Sequence, residues 1–305
     1  MDAGGFLYWS VATTAWVSHS ARKRIREFDR PMAPKDSAHE RNSGVDCPIA
    51  KSSRPFQRRA AAGDKEGTDP MIPGRSFSTD GIESEISIEA GKVTLDGVLG
   101  LPKKTNVVVL FAHGSGSSRH SPRNRYVAQV LQSQGIGALL FDLLTRDEES
   151  IDDSTGELRF NIPFLAERLK DATRWLIHRP DMPTARFGYF GASTGAAAAM
   201  VAAADMPSEI HAIVSRGGRP DLAGPSLQAV RTPTLLIVGG DDEPVIGMNQ
   251  DALAQLRCEK KLVIVPGATH LFEEPGTLEE VAKLAAQWFK LHLTKEQRSA
   301  RTARR

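Results

Sequence analysis

The chain has 305 residues, 40% of them hydrophobic and 25% charged, enough apolar material for a sizeable core in one domain or two. Its formal charge of +2 is unevenly spread: residues 1–70 sum to +3 and residues 295–305 to +4, leaving residues 71–294 at −5, which argues against a nucleic-acid-binding face there. Two cysteines, Cys47 and Cys258, supply no disulfide framework, which fits a reducing, cytoplasmic setting.

In chain order, the apolar stretch 6–18 comes first. It is shorter than the roughly 20 residues a membrane span takes, and no basic residue precedes it as in a secretory signal. Residues 20–69 are polar, rich in Arg, Ser and Pro, and without apolar periodicity. We expect a disordered extension over 1–77, a folded domain over 78–294 and a basic tail over 295–305, with no membrane association. The domain opens with alternating apolar residues at 84–90 and 93–101, the pattern of a hairpin. A strand at 106–112, apolar from Val107 to Ala112, runs into His113-Gly114-Ser115-Gly116-Ser117-Ser118. Ser121 then caps a helix with Pro122 in its first turn, whose inner face is Tyr126, Val127, Val130 and Leu131.

A strand at 137–141 ends at Asp142. The following insertion, 143–161, carries Asp147, Glu148, Glu149, Asp152, Asp153 and Glu157; without EF-hand spacing it reads as a solvated acidic loop and not a metal site. Phe164, Leu165, Leu169, Ala172, Trp175 and Leu176 form a helical stripe. Strands at 186–190, 211–215, 234–238 and 261–265 follow, and Thr277 with Glu280 predicts a capping box at the start of the last helix. Alternating strands and helices predict an α/β fold, a mostly parallel twisted sheet covered on both faces. Only 17 residues separate Arg216 from Thr234, too few for a large helical cap.

Three strand ends carry chemistry. Gly191-Ala192-Ser193-Thr194-Gly195 is G-x-S-x-G between a strand and a helix, a turn that exposes a serine hydroxyl over a helix N-terminus. Asp242 follows the strand ending at Gly239-Gly240, and His270 follows the strand ending at Val265. Serine needs a base to take its proton, and imidazole does so near neutral pH once a carboxylate fixes its tautomer. The order Ser…Asp…His is that of α/β-hydrolases. The backbone N–H groups of Ser115 and Thr194 are the expected oxyanion hole. The loop at Ser115 lacks the spacing of a dinucleotide fingerprint and the lysine of a P-loop. Arg119, His120, Arg123, Arg216 and Arg219 lie on the neighbouring loop ends, where arginine suits capture of a carboxylate or phosphate. We take Arg119, His120 and Arg216 as candidate substrate contacts; pairing with loop acids is the alternative.

Residues 82–293 resemble the dienelactone hydrolase-like branch of the α/β-hydrolases. The likeness rests on His113 to Asn124, Thr155 to Phe160, Gly191 to Ala197, Ser215 to Asp221 and Pro266 to Phe272. It implies Ser193, Asp242 and His270 as the triad and a hydrolase with no cofactor and no metal, acting on a small-molecule substrate. Dienelactone hydrolases use a cysteine nucleophile where this chain has Ser193, which departs from the pattern. The expected activity is hydrolysis of small to medium esters, lactones or thioesters. The alternatives are an amide or peptide hydrolase, and a catalytically idle binding protein on the same fold. The oligomeric state is left open.

Overall fold

The computed structural model describes residues 82–294; the expected extension 1–77 and tail 295–305 lie outside the described residues. Eight strands form one sheet in the order β1-β2-β4-β3-β5-β6-β7-β8. β1 (Ile82–Ala90) and β2 (Val93–Leu101) are the predicted hairpin, and β2 runs antiparallel to β4 (Gly137–Phe141). From β4 through β3 (Val107–Ala112), β5 (Arg186–Ala192), β6 (Ile210–Arg216) and β7 (Thr234–Gly239) to β8 (Lys260–Val265), all neighbours are parallel.

Side chains alternate between the faces of a strand, and here each face feeds its own core. Val107, Val109 and Phe111 of β3 pack toward α1 (Pro122–Ser133) and α6 (Thr277–Leu293). Val108, Leu110 and Ala112 pack toward α3 (Ile162–Ile177), α4 (Thr194–Asp205) and α5 (Glu243–Gln255). β3 is buried from end to end, as a central parallel strand covered on both sides must be. A 3-10 segment, Pro220–Gln228, occupies the short β6–β7 connection and buries Ala223 and Leu227, so no large cap domain is present.

Two local readings need correction. The acidic insertion is no solvated loop: it contains α2 (Arg146–Thr155), opened by a capping box. The Thr145 hydroxyl accepts from the Glu148 N–H at 3.2 Å, and the Glu148 carboxylate accepts from the Thr145 N–H at 2.8 Å. Conversely, the capping box expected at Thr277 does not form. Gly276, at φ 84°, is the N-cap, and the Thr277 hydroxyl donates back to the Glu274 carbonyl at 2.7 Å. The left-handed glycine starts the helix one residue earlier than the hydroxyl would.

Candidate active site

β5 runs into α4 at Ser193, and the turn between them is tight enough to force Ser193 to φ 49°, a region that non-glycine residues rarely occupy. Small neighbours make it possible. A Cβ on Gly195 would stand 2.2 Å from the Ala112 carbonyl oxygen, so only glycine lets α4 start this close to the end of β3. Ser193 is the N-cap of α4, a position where serine usually accepts from the first turn, yet its side chain makes no capping hydrogen bond. The hydroxyl is therefore held at the mouth of a helix without being consumed by it.

The loops after β7 and β8 meet. A Cβ on Gly217 would stand 3.5 Å from His270 Nδ1, and the carbonyl of the preceding residue, Arg216, accepts the Ser193 N–H at 3.4 Å. His270 Nδ1 lies 2.7 Å from Asp242 Oδ2. The Asp242 side chain is 12% exposed and the His270 side chain 38%, while the adjacent Asp241 is exposed. An ionised carboxylate accepts only, so the Nδ1–H tautomer donates and Nε2 is left free to take a proton. Close approach holds the two loops together: a Cβ on Gly239 would stand 2.3 Å from the Ala268 carbonyl oxygen. Phe272, two residues past His270, is buried at φ 57°, a second strained position that no sequence pattern pointed to.

The Ser115 loop also approaches Ser193: a Cβ on Gly114 would stand 2.9 Å from the Ser193 Cβ. His113 anchors it, with Nε2 accepting from the Leu143 N–H at 3.0 Å and Nδ1 donating to the Gly114 carbonyl at 2.9 Å. Burial pushes the His113 imidazole below its ordinary value of 6.5, so it stays neutral and can play both parts. The Ser115 N–H is directed at the Thr194 hydroxyl, 3.1 Å away. A narrow cleft, with water-accessible room of about 30 Å³, runs from Ser115 and Thr194 to Glu149, Asp152, Asp153 and Arg159, so α2 forms its far wall.

The candidate substrate contacts fare differently. Arg119 is ion-paired with Asp142, whose other oxygen accepts the Arg119 N–H at 2.7 Å. Arg123 pairs with Glu273 at 2.9 Å, and Arg219 holds Asp221 through two hydrogen bonds. His120 is exposed and faces a shallow hollow with Glu83, Glu85 and Arg125, away from the cleft. Among the described residues, Arg216 alone of these arginines has no carboxylate partner. It is 7% exposed, its Nη2 donates to Asn124 Oδ1 at 3.2 Å, its Nε is unpartnered, and its guanidinium lies 6.0 Å from the centre of the Phe272 ring. Burial, with the Arg123 charge nearby, lowers its pKa to about 10. Among the described residues no cluster of metal-ligating side chains occurs and no helix is long and apolar enough to cross a membrane.

Known proteins share this fold. The chain is 59% identical to a dienelactone hydrolase of known structure from Anabaena variabilis, a match covering 70% of this chain and 99% of that one, with a TM-score of 0.69. A Xanthomonas campestris protein described as an α/β serine hydrolase without a lid is similar at 20% identity and a TM-score of 0.56, covering 73% of this chain and 97% of that one. A Mycobacterium tuberculosis protein with the provisional name phosphoribosyl transferase is 57% identical over 211 residues, 69% of this chain. The chain spans about half the length, 47%, of that relative. The dienelactone hydrolase family model matches residues 95–294, some two thirds of the sequence. The α/β sheet, the serine turn and this match together place the chain in the dienelactone hydrolase family.

Proposed function

We propose that the chain is a serine-dependent hydrolase that cleaves small to medium esters, lactones or thioesters through an acyl-enzyme. The observation that carries the reading is Ser193, held at φ 49° with its hydroxyl spared from capping α4. In this mechanism Ser193 Oγ attacks the acyl carbon as its proton passes to His270 Nε2. Asp242 accepts from Nδ1, fixing the tautomer and stabilising the imidazolium as it forms. Negative charge on the former carbonyl oxygen is met by the Thr194 N–H and by the N-terminal end of α4. The imidazolium then protonates the leaving alcohol or thiol, and a water activated by the same imidazole releases the acid.

Arg216 is the group we assign to an anionic substrate. The other three arginines on these loops are already neutralised by Asp142, Glu273 and Asp221. A buried guanidinium without a carboxylate gains most from one supplied by a ligand.

The test is labelling with a fluorophosphonate, followed by peptide mapping and ester assays on the parent and Ser193→Ala. The expected result is a single adduct on Ser193 and loss of both labelling and hydrolysis in the variant. Unabated ester hydrolysis by Ser193→Ala would overturn the reading.

A further inference from the structure

Thr194 opens α4 with its side chain buried, and its Oγ1 accepts the Ser115 N–H at 3.1 Å. This hydrogen bond joins the two residues whose backbone amides are the expected oxyanion donors, so its meaning for catalysis rests on the serine-hydrolase reading. An amide proton aimed at a hydroxyl oxygen is not aimed at a substrate. The Ser115 N–H is therefore committed in this structure, and of the two expected donors the Thr194 N–H remains as the direct one.

A hydroxyl that accepts one hydrogen bond still has a proton of its own to place. A threonine inside a helix can give it to the carbonyl one turn earlier. Thr194 is the first residue of α4 and has no helical turn before it. Its single side-chain hydrogen bond within the described residues is the one it accepts. The residue also lines the cleft along the Ser115 loop. We propose that the Thr194 hydroxyl is itself an oxyanion donor and that Ser115 acts through it. The Ser115 N–H donates to Oγ1, and the Thr194 O–H donates to the developing anion beside the Thr194 N–H.

The relay has a physical advantage over a bare hydroxyl. Accepting from an amide polarises the O–H bond, so the hydroxyl donates more strongly when charge appears on the substrate. It also prevents the side chain from turning its oxygen toward the anion, because that oxygen is already held. No proton is transferred along the chain; both hydrogen bonds persist and only the second one shortens.

The experiment compares the full chain with Thr194→Val, Thr194→Ser and Thr194→Ala on matched oxo- and thionoesters, with thermal unfolding recorded for each. Sulfur is a poor hydrogen-bond acceptor, so the oxo-to-thiono rate ratio reports donor strength at the anion, which a merely structural threonine would not move. Thr194→Val is expected to lower kcat on oxoesters by about 100-fold, the order found for loss of one oxyanion donor, with KM nearly unchanged and the ratio collapsed. Thr194→Ser should retain both kcat and the ratio. Where Thr194→Val fails to fold, the Ser and Ala variants carry the same comparison, since they differ by the hydroxyl alone.

A Thr194→Val enzyme as fast as the parent would mean that the freed Ser115 N–H reaches the anion directly, and the relay would be wrong. Slower turnover with an unmoved ratio would also overturn it, reducing Thr194 to a support for the loop. Fluorophosphonate labelling of the parent separates the two levels. Its absence sinks the serine reading itself, whereas normal labelling with an unmoved ratio sinks only the relay.

Discussion

Asp241 and Asp242 are chemically identical neighbours with opposite surroundings. Asp242 lies against His270 and Asp241 is exposed. Asp242→Asn is expected to cost up to about 10⁴-fold in kcat, as loss of the orienting carboxylate does in serine proteases, while Asp241→Asn stays near the parent. Steady-state kinetics of the two variants decide it, and the reverse ranking would remove Asp242 from the mechanism. Arginine charge is sorted in the same way. Gln substitutions at Arg119, Arg123 and Arg219 are expected to leave the preference between matched esters with and without a distal carboxylate unchanged. Arg216→Gln is expected to lower the rate on the acidic ester by tenfold or more, the equivalent of about 1.5–3 kcal/mol for a charge-assisted hydrogen bond. Equal ratios in all four variants would show that Arg216, too, only ties loops together. Ser193, Asp242 and His270, the proposed triad, could be read as candidates because each follows a recognisable strand end. The positive φ of Phe272 and the bridging role of His113 were not, since both depend on neighbours distant in sequence: Leu143 is 30 residues from His113.

Among the elements, α2 shows why an acidic segment was misread. Asp147, Glu148, Asp152 and Asp153 look like solvent-facing charge, yet Asp152 is 3% exposed. Its carboxylate accepts the N–H of Leu158 at 2.7 Å, the N–H of Arg159 at 3.0 Å and Arg159 Nε at 2.6 Å. Glu148 completes the capping box and also accepts from Arg168 Nη2 at 2.5 Å, tying α2 to α3. Composition cannot distinguish a carboxylate that satisfies backbone amides from one that meets water. The β3, β5 and β7 strands, by contrast, are each built around an apolar run and were placed to within about two residues. Burial alone would raise the Asp152 pKa, but its hydrogen bonds to Arg159 and Leu158 prevail and hold it below its ordinary value of 3.8. A carboxyl depressed in the folded state stabilises the protein above its unfolded value, and that contribution is lost as the pH falls through the folded one. Asp152→Asn is therefore expected to be less stable at neutral pH, by about 1.5–3 kcal/mol, and to lose less stability than the parent once the pH drops below 3.8. Urea titrations at several pH values measure this; parallel curves would mean that the carboxylate charge contributes nothing.

At the scale of the molecule, the sheet and both of its covering layers are contained within residues 82–294. A chain trimmed to residues 78–294 is expected to fold and to keep the hydrolytic rate of the full chain. Insolubility, or a clearly lower melting temperature, would show that the flanking segments pack against the domain. The fold class was the most legible level of all. Period-two and helical patterns repeat along two hundred residues, so local errors such as the one at Thr277 do not change the layer order.

Among the described strands β8 lies at the border of the sheet, hydrogen-bonded to β7 alone, and the loop it carries holds His270. Ser193 and His270, the proposed nucleophile and base, are 77 positions apart in the chain, and pairings that distant close slowly during folding. Refolding from urea should therefore restore helical circular dichroism before esterase turnover, with the base reaching the serine only when the border strand docks. A single rate constant for both signals would place that docking within the main folding step.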